Sequence, residues 1–384
     1  MLKRTALAAA FIAAALIATP AFFSTAHAEI TIGVSISGTG PGASLGIPIR
    51  NTFGIIPKTI AGQPVKVVML DDASDPAEGA KIARRFGTED KVDVIVGSST
   101  IPVAGAQSIV ANELKTAMIA LCPIAIELPK HAYSFTVPQP AALVIEAAVE
   151  DMKARGIKNL AFIGFSDAWG DIILRALTPS ATAAGIKIVT NERFARNDTS
   201  VTAQVLKMLA ANPDAVFSGD AGTPAVLPHI TLTERGFKGP IYHSHGVVVP
   251  DFIRVGGKGV EGAIAPSGPI VVADQLPDSN PLKAVATDLI KRYDAAYGSG
   301  GRNAFVGYAW DSIAIIQAAA PVALKRAKPG TPEFRQAMRD AIENVKEVAG
   351  THAVYNMSPT DHNGVDKRGR VLIQVQNGQW RLLR

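Results

Sequence analysis

Three hydroxyl side chains, Ser98, Ser99 and Thr100, follow one another between a predicted strand and a predicted helix. The β-branched run before them predicts a short buried strand, and the apolar residues at helical spacing after them predict a helix. Pro102 suits the first turn of that helix, and Ser99 or Thr100 suits its N-cap. Hydroxyls and free backbone N–H groups at a helix N-terminus attract anions. We interpret the segment as a carboxylate-binding turn, the alternative being an ordinary capped connection.

Other reactive side chains lack the neighbours that catalysis or metal binding requires. Cys122 is the only cysteine, so it forms no internal disulfide, and its apolar neighbours favour an inert buried thiol. His243 and His245 share one face of a strand end, but no third metal ligand is evident, which favours hydrogen bonding in a binding cleft. A hydrolase is not favoured, because it would need a Gly-x-Ser-x-Gly elbow with a histidine and an acid, and we predict no such elbow. We expect no enzyme activity and no metal.

The glycine-rich loop after the first predicted strand does not match a nucleotide-binding motif. Gly38, Gly40 and Gly42 are two residues apart, unlike the dinucleotide fingerprint, and no P-loop lysine follows. The acidic cluster that begins at Asp71 could bind a cation, but Asp75 before Pro76 more simply begins a helix. We therefore expect no cofactor.

Residues 1–28 have the pattern of a cleaved signal peptide. A basic start at Lys3 and Arg4 precedes an apolar stretch and a small-x-small site at Ala26-His27-Ala28. The mature chain is then expected to begin at Glu29 and to be a soluble, monomeric protein of the periplasm. Loss of Lys3 and Arg4 lowers the formal charge from +5 to +3. The remaining positive charges are scattered, which does not favour nucleic acid as a partner.

Predicted strands and helices alternate along most of the mature chain. Each connection suits one crossover helix, so the pattern predicts an α/β protein with two doubly wound, mostly parallel-sheet lobes. Long predicted helices at 282–297 and 306–320 complete the first lobe, and an Asn377-Gly378 turn predicts a C-terminal hairpin. The predicted boundaries are 29–138 and 268–348 for lobe 1, and 139–267 and 349–384 for lobe 2.

The order and spacing of several short motifs resemble one known family. The motifs are Gly40–Gly46, Asp71–Pro76, Val96–Thr100, Asp167–Gly170, Asn212–Val216 and Tyr308–Asp311. Together they resemble the Leu/Ile/Val-binding branch of the periplasmic substrate-binding proteins, the receptors of ABC importers, over nearly the whole mature chain. The resemblance implies lobes joined by three hinge crossings, near 135–138, 265–269 and 345–353. It also implies a ligand held in the cleft between the lobes and handed to a membrane permease.

Only some of the family's ligand-binding positions have a matching residue type in this sequence. It implies that Ser98 or Ser99 receives the ligand carboxylate, and that Trp169 replaces the tyrosine that usually covers the ligand. Cys122 and Ile124 stand where relatives often present a small residue and a threonine hydroxyl. The acid that pairs with the ammonium of an amino acid falls near Thr223, so it is missing here.

The missing acid determines the predicted ligand. A buried ammonium without a partner costs several kcal/mol, so an aromatic or apolar carboxylate resembling a benzoate, phenylpropanoid or aryl keto acid is favoured. If Asp220 were the ammonium partner, a branched-chain amino acid would be favoured instead. A periplasmic sensor with the same fold is a further alternative. The predicted ligand-binding residues are Ser98, Ser99, Thr100, Cys122, Ile124, Trp169, Asp220, His245 and Tyr308.

Overall fold

The computed structural model describes residues 29–383, so the predicted signal peptide lies outside the described residues. The strands are β1 (Ile30–Ile36), β2 (Thr59–Ile60), β3 (Gln63–Asp71), β4 (Val94–Val96), β5 (Ala117–Ala120), β6 (Ser134–Thr136), β7 (Asn159–Phe165), β8 (Lys187–Phe194), β9 (Ala215–Gly219), β10 (Ile241–His243), β11 (Ile264–Ser267), β12 (Val348–Ala349), β13 (Val354–Tyr355), β14 (Val371–Gln376) and β15 (Gln379–Leu382).

Helices cover both faces of the two large sheets that these strands form. They are α1 (Ala43–Gly54), α2 (Pro76–Thr88), α3 (Ile101–Glu113), α4 (Ala141–Ala154), α5 (Ala168–Ala183), α6 (Thr202–Ala210), α7 (Val226–Glu234), α8 (Pro250–Gly256), α9 (Lys283–Tyr297), α10 (Ala304–Leu324) and α11 (Pro332–Glu343).

The first sheet has the order β2-β3-β1-β4-β5-β6 and the second the order β15-β14-β11-β10-β9-β7-β8. Every pair in the first sheet is parallel except β2 with β3. In the second sheet, β14 runs antiparallel to both β11 and β15. The predicted two-lobed α/β fold is confirmed, because each sheet is the centre of one lobe.

The strand, turn and helix around the three hydroxyls form as the sequence predicted. Gly97 directly follows β4 and has a φ of 122°. A Cβ atom there would lie 2.1 Å from the carbonyl oxygen of Ser35. Only glycine fits such a conformation beside a neighbouring backbone. The chain can therefore turn sharply at this strand end and start α3 beside the cleft.

The predicted C-terminal hairpin is also confirmed. Asn377 and Gly378 both have positive φ, 53° and 69°, as a type I′ turn requires. Their amides donate to the carboxylate of Glu261, 2.6 and 3.1 Å away. The hairpin forms one edge of the second sheet, with β15 as the outermost strand.

The segments that pass between the lobes meet at a common point. Gln139 Nε2 lies 3.4 Å from His352 Nδ1 and donates to the carbonyl of Gly369 at 2.7 Å. A Cβ atom on Gly268 would lie 1.6 Å from His352 Nδ1, so the third segment also passes in direct contact. The connections therefore pack side by side, as expected for a hinge.

The long return helix α10 is part of the core. It is long and apolar enough to pass a test for a membrane-spanning helix, but 67% of its most apolar window is buried inside the protein. Asn303 caps its N-terminus by accepting from the amide of Phe305 at 2.8 Å. The cap places Phe305 and Tyr308, in the first turns of α10, at the cleft.

Candidate functional site

A cavity lies between the two lobes, at the carboxyl ends of strands from both sheets. It contains about 340 Å³ of empty space, of which about 20 Å³ can hold the centre of a water molecule. The lobes touch beside it, where the amide of Thr223 donates to Ser44 Oγ and the amide of Ala304 donates to the carbonyl of Val248, both at 3.3 Å. The structure is thus closed around a narrow space.

Six of the predicted ligand-binding residues line this cavity together. They are Ser99, Thr100, Cys122, Trp169, His245 and Tyr308. Ser98, Ile124 and Asp220 do not line it.

Ser99 and Thr100 present hydroxyls that no protein group uses. The residues are 3% and 4% exposed, and neither hydroxyl has a hydrogen-bond partner within residues 29–383. Thr100 is the N-cap of α3 by backbone conformation, yet its side chain makes no capping bond. Buried polar atoms are nearly always hydrogen-bonded in native proteins, so these two adjacent hydroxyls are exceptions, and both residues line the cavity.

Ser98 lies behind the cavity, in a buried hydrogen-bond network of the first lobe. Its hydroxyl is 3.1 Å from Ser37 Oγ, which in turn donates to Asp72 at 2.8 Å. Ser35 Oγ donates to the other oxygen of the same carboxylate, also at 2.8 Å. This network holds the turn in place, while the neighbouring Ser99 lines the cavity.

Trp169 forms a fixed wall of the cavity on the second lobe. Asp167 caps α5 by accepting from the amides of Trp169 and Gly170, at 2.9 and 3.4 Å. The indole Nε1 donates to the backbone carbonyl of Asp220 at 3.0 Å. The ring is therefore held from both ends, and His245 meets it edge-on with ring centroids 5.3 Å apart.

The carboxylate of Asp220 points into the second lobe instead of the cavity. One oxygen accepts from Ser218 Oγ, and the other lies 3.5 Å from His243 Nδ1. His243 Nε2 is in turn 2.8 Å from His229 Nδ1. Asp220 thus belongs to a buried chain of polar side chains, and its backbone carbonyl holds the indole of Trp169.

Burial favours the uncharged forms of His245, Cys122 and Tyr308. It lowers the pKa of His245 to about 4, so this imidazole is neutral at pH 7, and its Nδ1 has no partner within the described residues. Burial likewise raises the pKa of the Cys122 thiol and the Tyr308 phenol well above their usual ranges. Tyr308 donates its hydroxyl to Gln139 Oε1 at 2.9 Å, which links the cavity wall to the crossing segments.

Arg196 is a lining residue that the sequence analysis missed. It follows β8 and provides a cation at the cavity. Its Nε donates to Asp167 at 2.6 Å and its guanidinium lies 4.2 Å from the centre of the Phe165 ring. Arg196 lies just beyond the carboxyl end of β8, and such ends face the cleft in open α/β sheets, but the strand is longer than its sequence pattern indicated.

Ile124 lies in a separate groove that shares only Pro123 and Pro138 with the cavity wall. The backbone turns between Cys122 and Ile124, whose amide donates to the Cys122 carbonyl at 2.9 Å. The predicted apolar wall is therefore divided between two spaces.

The expectation that the chain lacks a Gly-x-Ser-x-Gly pentad is wrong, because Gly42–Gly46 has this pattern. Its Ser44 lies in the first turn of α1, and its hydroxyl accepts from the amide of Thr223. Within residues 29–383 it has no hydrogen bond to a histidine. The same part of the chain contains no cluster of three or more His, Cys, Asp or Glu side chains arranged for a metal ion.

A sequence profile described as periplasmic binding protein matches residues 29–379. The chain belongs to this family. It is 44% identical to an extracellular ligand-binding receptor from Rhodopseudomonas palustris HaA2, with a TM-score of 0.91 over 93% of this chain and 100% of that one. The Leu/Ile/Val-binding protein BraC3 of Rhizobium johnstonii is 25% identical over 87% of this chain and 89% of its own length.

A more distant member shares the fold. The solute-binding protein of an ABC transporter from R. palustris, solved with benzoate, has a TM-score of 0.74 at 17% identity, covering 92% of this chain and 95% of that one. The predicted receptor family is therefore confirmed: this periplasmic binding protein is related to the branched-chain amino acid receptors of ABC importers, a solute-binding class.

Proposed function

We propose that this periplasmic binding protein captures a small aromatic or apolar carboxylate in its interlobe cavity and delivers it to the permease of an ABC importer. One observation carries the proposal. The cavity offers two unpartnered hydroxyls and the guanidinium of Arg196, while no Asp or Glu side chain of residues 29–383 lines it.

The anionic end of the ligand is assigned to the turn before α3. The hydroxyls of Ser99 and Thr100 can donate to a carboxylate, and the amides that open α3 add N–H donors and the positive end of the helix dipole. Arg196 from the opposite lobe is paired with Asp167 through Nε, and its terminal N–H groups can donate to the ligand carboxylate as well. A ligand held from both sides would stabilise the closed form.

The apolar body of the ligand is assigned to the remaining walls. Trp169 and Phe305 provide aromatic surface from opposite lobes, and Cys122 adds a protonated, weakly polar thiol. His245 provides one neutral nitrogen for a phenol or carbonyl on the ligand.

The alternative ligand is a branched-chain amino acid, which the name of the Rhizobium relative favours. An ammonium in this cavity would be desolvated without a carboxylate partner, because Asp220 is directed to Ser218 and His243. That cost of several kcal/mol favours a ligand without an ammonium group.

The proposal is tested with ligands that differ only in the ammonium group. The chain from Glu29 to Arg384 is titrated with 3-phenylpropanoate and with phenylalanine, beside benzoate and leucine, while its melting temperature is measured. A ligand of the folded state raises that temperature with increasing concentration. We expect shifts with 3-phenylpropanoate or benzoate and none with phenylalanine or leucine. Shifts with the amino acids alone would overturn the ligand assignment and leave the receptor class intact.

A further inference from the structure

A second space, which we call the outer groove, opens beside the closed cavity. It lies between residues 123–128 of the first lobe, the first half of α5 on the second lobe, and the loop 360–363. About 390 Å³ of it can hold the centre of a water molecule, compared with about 20 Å³ in the cavity. The outer groove is therefore large enough for a small organic molecule in the closed state.

Apolar side chains from both lobes form its walls. Ile124, Ile126 and Leu128 line it from the first lobe, and Ile172 and Ala176 line it from α5. The last two are four residues apart and so lie on one face of the helix. An aromatic ring placed here would contact both lobes at once.

The polar side chains of the outer groove are engaged within the protein, with one exception. Thr136 donates to the Cys122 carbonyl at 2.9 Å, and His362 and Asn363 bond to backbone groups near β6. Asp361 accepts from the amides of Asn363 and Gly364, both at 3.0 Å. Arg175, on the same face of α5 as Ile172, forms no ion pair or hydrogen bond within residues 29–383. The groove thus holds two charged side chains, the Asp361 carboxylate, which accepts both amides through Oδ1, and the Arg175 guanidinium beside the apolar wall.

We propose that the outer groove is a second binding site, for a small aromatic carboxylate whose ring packs on Ile124 and Ile172 and whose anionic group pairs with Arg175. The assignment does not depend on what occupies the cavity. Arg175 lies on the face of α5 that carries Ile172, whereas Asp361 lies on the loop 360–363, so a molecule with one apolar and one anionic end can pack on Ile172 and pair with Arg175.

Binding in the outer groove favours the closed form of the protein. Its walls come from both lobes, so the complete site exists only when the lobes are together. A ligand that binds one of two conformations shifts the protein towards it, and the effect between two sites is reciprocal. Occupancy of the outer groove therefore strengthens binding in the cavity, and occupancy of the cavity strengthens binding in the outer groove.

The test is calorimetric titration of the chain from Glu29 to Arg384 with sodium benzoate, at low and at high sodium chloride. We expect two sites, of which the weaker loses affinity with salt because Arg175 is exposed. Arg175→Gln should weaken that site roughly tenfold and leave the tighter one in place. Arg235→Gln, which removes an exposed cation at the end of α7, is the matched control and should change neither site.

One site at saturation, with the same isotherm for wild type and Arg175→Gln, would overturn the proposal. The cavity is tested separately with the double variant Ser99→Ala/Thr100→Val. If this variant keeps only the salt-sensitive site, both assignments stand. If it keeps both sites, the carboxylate assignment in the cavity fails while the outer site stands.

Discussion

Ser99 and Thr100 carry a cost in the free protein that a ligand can offset. A buried hydroxyl without a partner loses its hydrogen bonds to water and gains none in return. Both hydroxyls are in that situation, whereas Ser98 beside them is bonded to Ser37. Two neighbouring residues of the same type thus differ in role, one stabilising the turn and the other available to a ligand.

Replacing Thr100 with Val tests that difference, since the side chain keeps its shape and loses only the hydroxyl. We expect affinity for the ligand to fall by about 1 to 3 kcal/mol, with no loss in the free energy of unfolding of the free protein. Ser99→Ala should weaken binding by a similar amount. Ligand titration and urea unfolding measure the two quantities.

Ser98→Ala is the control for both variants. It should lower the free energy of unfolding by about 1 kcal/mol, because a buried hydrogen bond is lost, and change affinity little. Unchanged affinity in both Thr100→Val and Ser99→Ala would show that this turn does not hold the ligand.

At the scale of elements, the N-terminus of α5 organises the second-lobe side of the cavity. Asp167 caps the helix and also pairs with Arg196. Trp169 and Arg196, two cavity residues from different segments, therefore depend on one carboxylate. Asp75 caps α2 in the same way, by accepting from the amide of Glu78 at 2.9 Å, but has no cavity residue attached to it.

We expect Asp167→Ala to lower the free energy of unfolding by about 1 to 2 kcal/mol, the usual effect of losing an N-cap, and to weaken ligand binding as well. Asp75→Ala should have a similar effect on stability and none on binding. Urea unfolding and ligand titration of both variants distinguish the two effects. Equal affinities for the two variants would mean that the position of Trp169 and Arg196 does not depend on Asp167.

At the scale of the whole molecule, buried neutral histidines make stability depend on pH. Burial lowers the pKa of His245 to about 4, of His352 to about 3 and of His229 to about 2, the last with help from His243. Between pH 6.5 and 4 the unfolded chain binds protons at these positions that the folded chain does not. Their contribution to stability is therefore present above pH 6.5 and is lost as pH falls.

Asp311 acts in the opposite direction over part of this range. Burial raises its pKa to about 6 despite hydrogen bonds from Thr351, His352 and Tyr355. The folded protein binds one proton more than the unfolded chain at this position between pH 6 and 4, so stability rises there as pH falls. Because three histidines destabilise the folded protein as pH falls and one aspartate stabilises it, the net effect is a loss of stability.

We expect the free energy of unfolding to fall by about 3 kcal/mol per pH unit near pH 5, the effect of two net protons. Urea unfolding at pH 6.5, 5.5 and 4.5 measures this slope. His352→Gln should reduce it by one proton equivalent. A flat profile over this range would contradict the burial of these imidazoles in neutral form.

Much of the fold followed from patterns that are local in the chain. The β-branched run before Gly97, the Asp75-Pro76 helix start and the Asn377-Gly378 turn each specify conformation within a few residues. The prediction of two parallel-sheet lobes required only that such elements alternate with connections of suitable length. The lobe boundaries stay a prediction.

The sequence by itself determined the receptor family, the two-lobed fold and the position of the hydroxyl turn, because each depends on short-range pattern and on motif order. Only the tertiary structure decided that Ser99 and not Ser98 lines the cavity, that the Asp220 carboxylate faces away from it, and that Arg196 approaches it. The physical reason is that the cavity forms between loops that are distant in the chain. The direction of each side chain is set by hydrogen bonds to those distant partners, which no local pattern records.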